Sequence, residues 1–232
     1  MTADRNLQID LGNGQSVSAL LRMPDKSLAC LVLAHGAGAG MAHPFLESVA
    51  ASLAGRGVAT LRYQFPYMER GSKRPDPPKL AQATVRAAAA AARRLAPGLP
   101  LFAGGKSFGG RMTSQAQAES PLAGVRGLVF LGFPLHPPGR SSDERGKHLL
   151  DVLVPMLFLQ GTRDDFASLS LLQPLLQRLG SRATPELVEG ADHSFRVPAR
   201  AGVTSEQVLV RMMERLVAWV EETVGGSNPG TS

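Results

Sequence analysis

A serine flanked two residues away on each side by glycine, Gly105-Lys106-Ser107-Phe108-Gly109, directly follows the apolar run Leu101-Phe102-Ala103. An extended segment that ends in such a pentapeptide turns sharply into a helix and lifts the serine hydroxyl clear of its sheet. Side chains two before and two after the serine would collide as the helix folds back over the strand, and glycine removes them. Gly104 and Gly110 extend the small stretch and read as additional slack. A plain helix N-cap serine, the alternative role for Ser107, needs no glycine on either side.

Around this turn the chain alternates between strand and helix patterns. Residues 7–10 and 17–23 flank Gly12-Asn13-Gly14 and predict an antiparallel hairpin. Strand-like runs follow at 28–34, 58–63, 101–103, 125–133, 155–160 and 184–189. Between them lie a helix with Pro44 in its first turn, closed by Gly55 or Gly57, and an alanine-rich helix over 80–95. A proline-rich crossing occupies 66–78, and a short helix lies near 143–149. Pro174 starts or interrupts the helix carrying Leu175, Leu176 and Leu179, and Thr204 with Gln207 forms a capping box for the last helix. Strands separated by helices predict βαβ units and a mostly parallel sheet, with ligands at the strand C-terminal ends. Residues 1–224 read as one domain and 225–232 as a disordered tail.

The chain has 232 residues, 44% of them hydrophobic, which suffices for one sizeable core. Its net charge of +6 is scattered, and the densest basic patch, Arg70-Gly71-Ser72-Lys73-Arg74, is too short for a nucleic-acid tail. Neither a secretory signal nor a membrane-length apolar run is visible, so a soluble cytoplasmic protein is expected. The single cysteine, Cys30, sits in an apolar strand and reads as a buried core residue. Gly105-Lys106-Ser107 is not a phosphate-binding loop, because position 100 holds Pro100 where the motif needs glycine. Gly36-x-Gly38-x-Gly40 fails as a dinucleotide fingerprint because the last glycine falls on Met41, or on His43 in the alternative register. No Cys/His set has metal-ligand spacing, so neither a metal nor a cofactor is expected.

A serine hydroxyl becomes a nucleophile only with a base, a group that orients the base, and donors for the developing oxyanion. The elbow resembles that of the α/β-hydrolases, and the resemblance implies the chain order serine, acid, histidine. His193, after the run at 184–189, is the candidate base; His136 and His148 precede any strand-end acid. The run at 155–160 ends in Gly161-Thr162-Arg163-Asp164-Asp165, which makes Asp164 the candidate acid and Asp165 its rival. The candidate oxyanion donors are the backbone N–H groups of Phe108 and Ala37, with Gly38 as a third. Phe65, Tyr67 and His136 follow strand ends and are candidate substrate-binding residues, with aromatic core packing an equal contender for Phe65 and Tyr67. His35 precedes the serine and reads as a loop-bracing residue, Lys106 as pointing away from Ser107, and Arg111 as anchoring its helix through an ion pair.

Five landmarks occur in order: His35-Gly36-Ala37-Gly38-Ala39, Arg62-Tyr63-Gln64-Phe65-Pro66-Tyr67, Gly104 through Arg111, Leu159 through Asp164, and Ala191-Asp192-His193-Ser194-Phe195. Together they resemble the α/β-hydrolases. More narrowly, they are similar to the compact dienelactone-hydrolase-like family that includes testis-expressed and chromatin NSL-complex relatives. The resemblance spans roughly residues 28–220. It implies an α/β-hydrolase fold with a mostly parallel sheet, an N-terminal antiparallel hairpin, helices on both faces and no large lid domain. It implies Ser107, Asp164 and His193 as the catalytic set. Dienelactone hydrolases proper carry a cysteine where this chain has Ser107. The expected activity is hydrolysis of a small-molecule carboxylic ester, with thioesters, lactones or small peptides as other substrates of the same machinery. A non-catalytic interaction scaffold is the alternative from a different class.

Overall fold

The computed structural model describes residues 2–12 and 14–226. Asn13 of the expected hairpin turn and residues 227–232 of the expected disordered tail lie outside the described residues. Eight strands form one sheet: β1 (Arg5–Asp10), β2 (Ser16–Arg22), β3 (Ala29–Ala34), β4 (Val58–Tyr63), β5 (Leu101–Lys106), β6 (Val125–Leu131), β7 (Met156–Gly161) and β8 (Ala183–Val188). Their order is β1-β2-β4-β3-β5-β6-β7-β8. β1 pairs antiparallel with β2, and β2 with β4; every pairing from β4 through β8 is parallel. The strands from β3 to β7 are buried along almost their whole length. That burial on both faces explains why they read in sequence as continuous apolar runs rather than alternating ones.

Two hydrophobic layers cover the sheet. On one face, α1 (Pro44–Ala54) and α6 (Ser205–Gly225) bury Leu46, Val49, Leu53, Met213, Leu216 and Trp219. Gly127 of β6 admits the Trp219 ring, since a Cβ there would lie 2.6 Å from the indole. On the other face, α3 (Pro78–Leu95), α4 (Phe108–Glu119) and α5 (Leu169–Leu179) bury Ala81, Val85, Ala88, Met112, Ala116, Leu172 and Leu175. The capping box of α6 forms, with Thr204 Oγ1 accepting from Gln207 N at 3.1 Å and Gln207 Oε1 accepting from Thr204 N at 2.8 Å.

Three local features differ from the sequence reading. The crossing at 66–78 contains a one-turn helix, α2 (Pro66–Glu69), too short to show a period. α5 runs through Pro174, which neither starts nor interrupts it. The short helix after β6 is a 3₁₀ segment, Glu144–Asp151, and nothing between β6 and β7 forms a lid domain. Among the described residues, no helix is long and apolar enough to cross a membrane.

A partly buried ion cluster that no apolar pattern announces pins the N-terminal segment to the sheet. Arg62 of β4 is fully buried and donates to Asp4 at 2.5 Å and to Glu47 at 2.7 Å. Arg22 donates to the same two carboxylates. The paired arginines hold the Asp4 and Glu47 carboxyls below the usual range against the opposing effect of burial.

Candidate active site

The elbow is built by backbone contact. Ser107 adopts φ +50°, one of two non-glycine residues with positive φ among the described residues. A Cβ on Gly105 would lie 2.4 Å from the Ala34 carbonyl oxygen, and one on Gly109 2.6 Å from that of His35. Real Cβ atoms essentially never approach so closely, so neither position accepts alanine without backbone movement. Gly104 and Gly110, read in sequence as slack, are equally constrained: their Cβ atoms would lie 1.9 Å from Val129 O and 2.8 Å from Gly105 O. All four glycines are contact points that let β5 and α4 fit between β3 and β6.

The loops after β5, β7 and β8 bring Ser107, Asp164 and His193 into one hydrogen-bonded line. Ser107 Oγ lies 2.8 Å from His193 Nε2, and His193 Nδ1 lies 2.7 Å from Asp164 Oδ2. An ionised carboxylate only accepts, so the proton of the imidazole belongs on Nδ1 and the Nε2 lone pair faces the serine hydroxyl. Asp164 is buried, and its other bonds fix its plane: Oδ1 accepts from Phe166 N at 2.8 Å and Oδ2 from Gln160 Nε2 at 2.6 Å. The amide of Gln160 is oriented in turn because its Oε1 accepts from Phe133 N at 2.8 Å. Asp165, the rival acid, is exposed. Gln160 was not singled out from the sequence; a polar residue closing an apolar strand was its one signal.

Two further devices hold His193. The Asp192 carboxylate accepts from the N–H groups of Ser194 and Arg196, which closes a tight turn around the histidine and holds Phe195 at φ +60°. The Phe166 ring covers the imidazole at a centroid distance of 4.3 Å. A cavity of about 540 Å³ opens in front of Ser107, lined in part by Ala37, Phe45, Leu46, Phe166, His193 and Arg196.

The loop after β3 is braced from β4 and α2. His35 Nε2 accepts from Phe65 N at 3.1 Å while Nδ1 donates to Gly36 O at 2.8 Å, a bracing role that also assigns the tautomer. Burial pushes the His35 imidazole down to about 4. Gln64 Oε1 accepts from Met41 N at 2.9 Å, and the Tyr67 hydroxyl accepts from Gly38 N at 3.2 Å. Of the three candidate oxyanion donors, Gly38 therefore has its N–H engaged by Tyr67, which leaves Ala37 and Phe108.

The three substrate-binding candidates do not line the Ser107 cavity. Phe65 and Tyr67 are fully buried; they pack edge-on against His35 and Phe108 behind its wall. His136 spends both ring nitrogens on the backbone, accepting from Ser168 N and donating to Pro137 O, each at 2.9 Å. It ties the loop after β6 to the start of α5. Arg111 makes no ion pair among the described residues, and its buried Nε lacks a hydrogen-bond partner. Lys106 does not point away: it lines the Ser107 cavity and donates to His193 O at 2.6 Å. Cys30 is buried, which pushes its thiol up to about 12.

Several solved structures share this architecture. A dienelactone hydrolase from Anabaena variabilis superposes with a TM-score of 0.76 at 20% identity, over 95% of this chain and 98% of its own. A serine hydrolase without lid from Xanthomonas campestris gives 0.68 at 20% identity, over 100% and 98%. The esterase domain of a Rhodothermus marinus protein gives 0.71 at 15% identity, over 94% and 98%. At these identities the likeness is one of fold. The family match is independent of it: residues 27–221 fit the model of the alpha/beta hydrolase domain, and the chain belongs to that family.

Proposed function

We propose that this protein is a serine hydrolase that cleaves small carboxylic esters through an acyl-enzyme. The observation that carries the reading is the continuous line from Ser107 Oγ through His193 to Asp164, at 2.8 and 2.7 Å, set on a positive-φ elbow at the mouth of a cavity. His193 Nε2 takes the Ser107 proton as the oxygen attacks the ester carbonyl. Asp164 stabilises the imidazolium formed, and the N–H groups of Phe108 and Ala37 receive the oxyanion. The imidazolium then protonates the leaving alcohol. A water molecule, deprotonated by the same nitrogen, releases the acid and restores the serine. Every step uses side chains and backbone of this chain. The neighbours described as a serine hydrolase and an esterase domain support the class, and the modest cavity supports a small substrate.

The test is labelling by a fluorophosphonate with the Ser107→Ala variant as control. Covalent labelling of the wild type alone is the expected result. An unlabelled wild type would instead favour an interaction scaffold.

A further inference from the structure

Lys106 is placed where its charge acts on the site. Its side chain leaves β5 immediately before the nucleophile, runs past Gly36, whose Cβ position is 3.6 Å from Lys106 Cγ, and lines the Ser107 cavity. Nζ donates to the backbone carbonyl of His193 at 2.6 Å and lies 5.4 Å from the centroid of the Phe195 ring. Gly132, at φ +72°, makes room for it. A Cβ there would lie 2.9 Å from Lys106 Nζ, 3.4 Å from His193 Nδ1 and 3.5 Å from Asp164 Oδ2. Thus the ammonium, the imidazole and the carboxylate converge on one point that only a glycine leaves empty.

We propose that Lys106 is a positioning residue of this site: its ammonium anchors the His193 main chain, holding the imidazole in line with Ser107, and keeps a positive charge beside the Asp164 carboxylate. The inference rests on the serine-hydrolase reading given above. The groups facing Lys106 are Asp164 from the loop after β7 and Asp192 and the His193 carbonyl from the loop after β8; Arg196 and His43 line the same cavity. Burial pushes the amine down to about 8, and the two aspartates oppose that fall. The anchoring bond therefore changes from charge-assisted to neutral within an accessible pH range, and it weakens as it does so.

The test is the pH dependence of kcat and KM for p-nitrophenyl acetate in the wild type, Lys106→Gln and Lys106→Arg, with spontaneous hydrolysis subtracted. The wild type is expected to lose on the order of 10-fold in kcat as pH rises through about 8. Lys106→Gln should show a similarly low kcat at neutral pH, an unchanged KM and no such alkaline limb. Lys106→Arg should recover most of kcat and move the limb beyond the measurable range. A Lys106→Gln variant that keeps both the neutral kcat and the limb overturns the proposal, as does a uniform loss at every pH in both variants, the mark of a packing role. Fluorophosphonate labelling of the wild type separates the two levels: its absence removes the serine-hydrolase reading, whereas labelling with an unaltered Lys106→Gln profile removes the role of Lys106 alone. Should the variants not fold, the wild-type Lys106 amine resonance followed by NMR decides. Titration near pH 8 supports the placement, and titration at an ordinary lysine value overturns it.

Discussion

Mild acid should loosen this protein before its carboxylates begin to titrate, and His35 is the reason. In the folded state burial pushes its imidazole from 6.5 down to about 4, because the ring is enclosed and Nε2 must keep its lone pair for Phe65 N–H. The unfolded chain takes up a proton near pH 6.5 and the folded one does not, so stability is complete above that value and falls with pH until about 4. At about 1.4 kcal/mol per pH unit, the full gap is worth roughly 3 kcal/mol, of which about 2 kcal/mol is lost by pH 5. His148 is pushed the same way by burial and by the Arg111 charge, and adds a loss of the same sign. Asp4 and Glu47, whose folded values are depressed, lose their contribution only at lower pH, below the ordinary values of 3.8 and 4.5. Urea unfolding at pH 7 and pH 5 therefore isolates the histidines. A His35→Gln variant is destabilised at pH 7 but should lose about 2 kcal/mol less than the wild type between the two. Equal losses in both proteins would refute the argument, as would an NMR titration showing His35 protonated at pH 5.5 in the folded wild type.

The paired aspartates should separate cleanly: Asp164→Asn lowers kcat by several orders of magnitude, since its amide no longer imposes the Nδ1–H tautomer, while exposed Asp165→Asn stays near wild type. Ester turnover by both folded variants checks this, and the reverse ranking transfers the acid role to Asp165. Tyr67→Phe keeps the ring and deletes the acceptor of Gly38 N–H, a bond worth about 0.5–1.5 kcal/mol. The expected result is a fall in kcat of up to about 10-fold with KM unchanged, and an unaltered kcat would show that the loop holds its shape without Tyr67. In a nitrophenyl ester series, kcat/KM should peak at short acyl chains, because the cavity is about 540 Å³ and no lid domain stands over it; a maximum at long chains with a jump at the micellar threshold would contradict that reading.

What could be read from the chain and what could not divides along the range of the interactions involved. β5 and its elbow are legible because their cause is local: glycines at fixed offsets permit one close approach, to Ala34 O and His35 O, that any other residue blocks. Strands β3 to β7 are legible because both faces are covered and most of their residues are apolar. The choice between Asp164 and Asp165 is not local. It depends on which side chain Gln160 and Phe166 N capture, and Gln160 is itself oriented by Phe133 N from the loop after β6. The same holds for Lys106, whose direction is set by a carbonyl 87 residues along the chain, and for Phe65 and Tyr67, whose position after a strand end suggested a pocket. Their rings are turned inward because the main chain they carry braces the loop with Ala37: Phe65 N binds His35, and Tyr67 N binds the buried Asp76 carboxylate. Aromatic residues after a strand end can thus serve a site from behind its wall, by fixing the loop that faces the substrate. The nucleophile's own segment shows the converse, since Lys106 reaches past the serine to fix the loop that supplies the base. The loops after β3, β6, β7 and β8 are each held by a side chain from another strand or its following segment, so the precision of the Ser107–His193 contact belongs to the ring of loops as a whole and not to the pentapeptide that announces it.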